Sequence, residues 1–433
     1  MKACVLLIVL LCPSLVYALD AYTGLVATRG LQMTETRSTN RQSNSRSPHV
    51  ARTALTSIQV VFPGWYINGS LNETAPGAAI TIKASVEYPA GTFTQLLFSG
   101  VTSGTVPNGG YLVSDALTVS IADGETFWVR SFLESTSLLI AISGLTIATG
   151  QQYEEAVSGL TDKSMGGTIA ANSRVYAPVA IIGTTTQPSF AFMGDSITFG
   201  VGDGSAGFDM GPYARALGGT YAYTKIARTG DTITKFVAGH TNRAAIAAYA
   251  SHWVYGYGSN DLFVSSRTAA QVMSDLATAV GYASGKPVYT STITPRTQSP
   301  DGWQTVVNQS QSNATAEAER ITLNGSLRSS SAFTKVFEEA DTLESGRDSG
   351  WWLPAPSSQY YTTDGIHPTS NGYALMQTAV LLAAAVLADV ARPVTAQEPT
   401  VGAGVLSSKA GRVGTAQVGV GDGDLTSTAG PVQ

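Results

Sequence analysis

Hydrophobic positions change their period along the chain. From Ser57 to about Ile182 they fall in short alternating runs: Ile58–Phe62, Ala79–Val86, Thr92–Phe98, Ala116–Ile121, Thr126–Phe132 and Leu138–Ile142. Turn residues separate the runs, as in Pro63-Gly64, Pro89-Ala90-Gly91, Pro107-Asn108-Gly109-Gly110 and Asp123-Gly124. A period of two turns one face of each strand to a core. Short strands at this spacing predict an all-β, sandwich-like accessory domain over residues 57–185.

Near Pro188 the pattern changes. Ser189–Met193, Tyr221–Ala227, His252–Tyr257, Pro287–Ile293 and Phe333–Phe337 are strand candidates. Helical stretches lie between and after them, at Asn242–Tyr249, Ala269–Tyr282, about Ser310–Leu323 and Thr369–Asp389. Alternating strands and helices predict a parallel sheet covered on both faces over residues 186–392. Ligands of such sheets bind at the carboxyl ends of the strands.

The flanks read differently. Residues 28–56 are rich in Ser, Thr, Asn and Arg, with Arg29, Arg37, Arg41, Arg46 and Arg52 against Glu35. That composition predicts a solvated polar linker over 19–56. Residues 1–18 resemble a secretory signal, with Lys2, the apolar run Val5–Leu11 and the cleavage site Val16-Tyr17-Ala18. This predicts a secreted or periplasmic protein. A lipoprotein reading of Cys12 is disfavoured by the bulky Leu11. The apolar run Ala374–Ala388 is shorter than the ~20 residues a bilayer core needs and contains Gln377, so it is expected to pack on a sheet, with no stable membrane insertion. Residues 393–433 lack periodicity and are expected to form a disordered tail.

Composition narrows the function. The formal net charge of −5 gives no reason to expect nucleic acid as a partner. Both cysteines, Cys4 and Cys12, lie within residues 1–18, so a processed chain would carry no thiolate metal site, disulfide or cysteine nucleophile. No cluster of His and carboxylates has metal-ligand spacing, and no cofactor is expected.

Four short strings remain as candidate chemistry. Ser196, in Gly194-Asp195-Ser196-Ile197-Thr198, follows a strand directly, where its hydroxyl would stand above the sheet edge and its amide at a helix start. A helix-capping serine is the competing reading. A serine nucleophile needs a base, commonly histidine. Of His49, His240, His252 and His367, only His367 has a carboxylate three residues before it, Asp364, in a loop ahead of a helix. Pro368 biases His367 away from helical geometry. A capping loop is the alternative for this D-x-x-H string. Asn260, in Gly258-Ser259-Asn260-Asp261, and Gly230, in Thr229-Gly230-Asp231, also follow strands and have the chemistry of oxyanion donors. Each is also a common turn residue.

Taken in order, the four strings resemble blocks I, II, III and V of the SGNH (GDSL-type) hydrolases, over roughly Ser189–Ala388. The resemblance implies a flavodoxin-like three-layer α/β/α sandwich with about five parallel strands. It also implies Ser196 as nucleophile, His367 as base and Asp364 as its orienting carboxylate. Ser196, Gly230 and Asn260 would form the oxyanion hole. The block II region lacks the preceding asparagine.

The expected function is a secreted serine esterase that removes acetyl groups from carbohydrate. The alternatives are a carbohydrate O-acyltransferase and a glycan-binding protein with a residual hydrolase core. Trp303, in the tract Thr292–Trp303, and Trp351-Trp352 are expected on loops around the site, where exposed rings suit sugars. Rim or core packing is the competing reading. Arg130, near Trp128, reads as a solvated strand arginine. Sequons occur at Asn68, Asn72, Asn308, Asn313 and Asn324.

Overall fold

The structure is a computed structural model that describes residues 20–37, 39–142, 151–204, 209–356 and 358–384. The signal-like segment, both cysteines and the 393–433 tail lie outside the described residues, all of which fall in one compact unit, Met1–Glu398.

The five apolar runs after Pro188 form parallel strands. Their order in the sheet is Ala222–Ala227, Ser189–Gly194, His252–Gly256, Val288–Ser291 and Lys335–Phe337. A sixth strand, Gly30–Leu31, extends this sheet beside Ala222–Ala227. Successive side chains of each strand enter opposite layers. Ala191, Met193, Trp253 and Tyr255 pack with Phe236, Val272, Leu276 and Leu323 on one face. Phe190, Phe192 and Val254 pack with Tyr213, Leu217 and Val380 on the other. The result is the three-layer α/β/α arrangement.

Local chemistry sets the helix starts. Thr268 and Gln271 form a reciprocal capping box for Ala269–Tyr282. Asn313 caps Ala314–Ser329, so that helix begins later than its hydrophobic pattern suggests. The last helix, Ser370–Ala384, packs on the sheet through Val380 and Ala383. Among the described residues no helix is long and apolar enough to cross a membrane.

Ahead of the parallel sheet stand two larger antiparallel sheets. One contains Tyr22–Leu25, Ala180–Thr185, Leu55–Pro63, Tyr111–Val113 and Leu117–Ile121. In the other, Thr126–Ser135 lies between Ile80–Glu87 and Gln42–Val50. The β part is not a detached module. Leu25, Val61, Trp65 and Ile182 share one apolar cluster with Ala191, Met193 and Trp253 of the parallel sheet.

The expected polar linker is structured. Gln42–Val50 is an interior strand, paired with Thr126–Ser135 on one side and Gln152–Ala156 on the other. Several of its polar side chains are buried and satisfied by distant residues. Asn44 donates to Glu154 Oε1 at 2.9 Å and to Thr161 O at 2.8 Å, and Ser45 Oγ accepts Tyr176 N at 3.1 Å. Arg46 pairs with Glu87 at 2.7 Å and lies over the Trp128 ring. Arg130 is likewise buried and not solvated, with Nη2 donating to Gly167 O at 2.6 Å.

His49 gives this burial a measurable signature. It is fully buried, with Nδ1 3.0 Å from Thr28 O and Nε2 2.8 Å from Ser47 Oγ. Burial, with Arg29 adding to it against the Thr28 bond, pushes its pKa down to about 3. The unfolded chain therefore takes up this proton first, below pH ~6.5. The stabilisation is complete above that pH and is lost as pH falls toward 3. Urea titrations should show wild type losing about 1.4 kcal/mol per pH unit more than His49→Gln between pH ~6 and ~4; parallel slopes would refute this.

Candidate active site

The strands place three of the four strings side by side. Gly194 pairs in register with Ala227 and Gly256, so the segments that follow each strand leave the same carboxyl edge. Backbone bonds tie them there, Arg228 N to Gly194 O at 3.1 Å and Asp195 N to Gly256 O at 3.3 Å. A side chain at Gly194 would lie 2.6 Å from Gly256 O and closer still to Thr198 Oγ1. Only glycine lets the turn pack this tightly.

Ser196 opens the short helix Ser196–Phe199, and Asp195 caps it by accepting Ile197 N at 2.9 Å. The first amides of a helix have no intrahelical acceptor, which leaves the Ser196 N–H available at the sheet edge. Burial pushes the Asp195 carboxyl up to about 6, against the Ile197 bond. Asp195, Thr198, Tyr213, Ser291 and Glu339 line a cavity of about 20 Å³ beneath this turn, enough for one water.

His367 Nε2 lies 2.9 Å from Ser196 Oγ, and its Nδ1 lies 2.6 Å from Asp364 Oδ2. With Nδ1–H donating to Asp364, Nε2 is free to accept the serine proton. Asp364 Oδ1 also accepts Ile366 N at 2.9 Å and His367 N at 2.7 Å, so one carboxylate both folds the turn and aims the ring. Burial raises the Asp364 pKa, but the bonds from the His367 ring and these two amides outweigh it and hold it well below the usual carboxylate range. The structure thus brings Ser196, His367 and Asp364 into one hydrogen-bonded line.

The other histidines serve elsewhere. His252 is buried with Nδ1 2.7 Å from Ser251 Oγ, and His240 stacks on Tyr282. His49 lies in the interior β-strand described above.

Asn260 lies in the first turn of the short helix Ser259–Phe263, and Gly230 lies in the turn after Ala222–Ala227. Asn260 Nδ2 donates to Asp231 O at 3.0 Å, which leaves its second N–H for another acceptor. Gly230 is exposed, with φ +82°, a left-handed conformation that favours glycine. Arg296 was not singled out by the sequence. Its Nη2 donates to Asn260 Oδ1 at 2.8 Å and its Nε to Ser259 Oγ at 3.0 Å, while its guanidinium lies over Phe263. This fixes which end of the Asn260 amide faces outward. An arginine in a loop carries no local signal of such a role.

The expected tryptophan platforms are not there. Trp352 is fully buried and donates to Gly365 O at 3.2 Å, and Trp303 is buried and donates to Thr297 Oγ1 at 2.8 Å. Both pack with Leu343, Tyr373 and Met376. They support the Asp364–His367 loop from below, and only Trp351 is half-buried. Asn324, a sequon residue, is also buried, with both amide ends bonded to the Ile293 backbone. Among the described residues no three His, Asp or Glu side chains come together as a group that could hold a metal ion.

A parallel sheet whose loops bring serine, histidine and aspartate into line has the architecture of an acyl hydrolase. Residues 192–375 match the GDSL-like Lipase/Acylhydrolase family, in agreement with the resemblance read from the four strings. No curated protein matches the chain. Similar solved structures include a member of the lipolytic G-D-S-L family from Veillonella parvula, 19% identical over 45% of this chain and 97% of that one, with a TM-score of 0.30. A peptidoglycan O-acetylesterase is 10% identical over 86% and 78%, with a TM-score of 0.38. An active-site mutant of a family two carbohydrate esterase from Clostridium thermocellum is 12% identical over 84% and 98%, with a TM-score of 0.32.

Proposed function

We propose that the chain is an exported serine esterase that removes small acyl groups, acetyl above all, from carbohydrate. The observation that carries the reading is the continuous line from Ser196 Oγ through His367 to Asp364. In this reading Ser196 attacks the ester carbonyl as its proton passes to His367 Nε2. The amides of Ser196 and Gly230 and the side chain of Asn260 stabilise the tetrahedral oxyanion. His367 then protonates the leaving alcohol, and water activated by the same imidazole releases the acyl group.

One feature supports the substrate class. Beside His367, Thr297 N donates to Gly365 O, and the loop that follows presents Ser299, Asp301, Gln304, Thr305 and Asn308 in a polar network. Such a rim suits a hydroxyl-rich alcohol. Export rests on the character of residues 1–18.

The test is acetate release from a panel of acetylated polysaccharides, using protein recovered from the medium of cells expressing the full chain. Release from at least one member, without transfer to an added glycan acceptor, is expected. Hydrolysis confined to long-chain esters would overturn the substrate class. Dominant transfer would overturn hydrolysis, and retention inside the cell would overturn export.

A further inference from the structure

A short hairpin of the β part reaches the oxyanion side of the site. Tyr66–Ile67 and Glu73–Thr74 pair antiparallel. From this hairpin the Glu73 carboxylate accepts Asn242 N at 2.8 Å, Arg243 N at 2.9 Å and Arg243 Nε at 3.3 Å. Those two amides begin the helix Thr241–Ala247, whose cap residue His240 makes no side-chain capping bond. Glu73 supplies that missing function from another part of the chain.

Arg243 carries the contact inward. It is fully buried, lies over the Phe236 ring and donates through Nη2 to Gly239 O at 2.6 Å. Its Nη1 donates to Asp231 Oδ2 at 2.9 Å, an oxygen that also accepts Tyr257 OH at 3.2 Å. The Asp231 backbone is held too: its N donates to Arg228 O at 3.1 Å and its O accepts Asn260 Nδ2 at 3.0 Å. The same hairpin grips the other end of the turn, since Arg228 Nε donates to Ile67 O at 2.9 Å. Between these two anchored residues lies Gly230, exposed and with open space where a side chain would stand.

We propose that Glu73 is a positioning residue for the oxyanion pocket, acting through Arg243 and Asp231 on the Gly230 amide and the Asn260 side chain. The proposal rests on the esterase reading above. A turn with glycine at its centre holds its amide in place only if both ends are fixed. Oxyanion donors stabilise charge only when set within a few tenths of an ångström of their target. As an adhesive between two parts of a chain, a buried ion pair roughly breaks even against apolar packing; what Glu73 and Arg243 add is direction. The β part is therefore a component of the catalytic geometry as well as a neighbour of it.

Glu73→Gln tests this, because an amide offers one acceptor oxygen to three donors and turns an NH2 toward backbone amides. Active sites are counted by stoichiometric labelling with an organophosphate, and turnover of p-nitrophenyl acetate is expressed per labelled site. The expected result is a per-site kcat lower by about tenfold, with KM within about twofold. Glu73→Asp, which keeps the charge, should fall between; its per-site rate decides the matter if Glu73→Gln does not fold. Full per-site kcat in the variant, with only fewer sites or a lower melting temperature, would make Glu73 mere cement and overturn the proposal. A wild type whose Ser196 takes no label would overturn the esterase reading, and this proposal with it.

Discussion

Ser196→Ala should lower kcat on p-nitrophenyl acetate by about 10⁵-fold or more, with the fold intact. The side chain is nearly buried, and its hydroxyl lies 2.9 Å from His367 Nε2. Removing it removes the attacking atom, and neither a water in the same space nor His367 alone forms an acyl-enzyme. The structural cost is small. Alanine is the best helix former, the cap of this helix comes from Asp195, and the one bond lost is worth about 1 kcal/mol. A melting temperature near that of wild type should therefore accompany the lost activity. Mass spectrometry should find one organophosphate on Ser196 in wild type and none in the variant. Turnover within a hundredfold of wild type, or label on another serine, would refute the assignment.

The residues differ in how far sequence alone exposes them. Ser189–Gly194, His252–Gly256 and Val288–Ser291 are buried on both faces, and the first two read as largely apolar runs, which is what a covered parallel sheet demands. Ser196, Asn260 and Gly230 then declare themselves by following such runs. His367 is identified by Asp364 three residues away, a local relation.

What stayed hidden depends on distant partners. Gln42–Val50 looks solvated because Ser43, Asn44, Ser45, Ser47 and His49 are polar, yet all five are buried. Asn44 and Ser45 bond Glu154, Thr161 and Tyr176, each more than a hundred positions away and beyond any compositional window. Gly30–Leu31 is too short to show a period. Arg296 and Arg243 look like ordinary surface cations until the fold brings Asn260 and Asp231 to them. Trp303 and Trp352 mislead in the opposite sense: they sit in loops, but those loops fold back beneath the Asp364–His367 turn. The reacting groups are thus legible as strings, while the groups that aim them are long-range and appear only in three dimensions.

Asp364→Asn should cost about 10⁴-fold in kcat, for a reason fixed by the turn itself. Asp364 Oδ1 accepts two backbone amides, from Ile366 and His367, and Oδ2 accepts the ring Nδ1–H. An asparagine keeps the turn by pointing its oxygen at the two amides. Its NH2 must then face His367 Nδ1, which becomes an acceptor, and the neutral ring carries its proton on Nε2. In that tautomer Nε2 cannot accept from Ser196, so the base is blocked while every atom stays nearly in place. The positive charge on His367 in the transition state also loses its neighbouring carboxylate, which in wild type is held ionised by the three bonds it accepts. Asp364→Ala should be no more active, since it loses the two turn bonds as well as the ring partner. The measurement is kcat across pH for both variants, with organophosphate labelling to confirm that Ser196 remains present but slow to react. Near-wild-type kcat in Asp364→Asn would show that His367 takes its orientation from elsewhere, and the line of Ser196, His367 and Asp364 would no longer describe the chemistry.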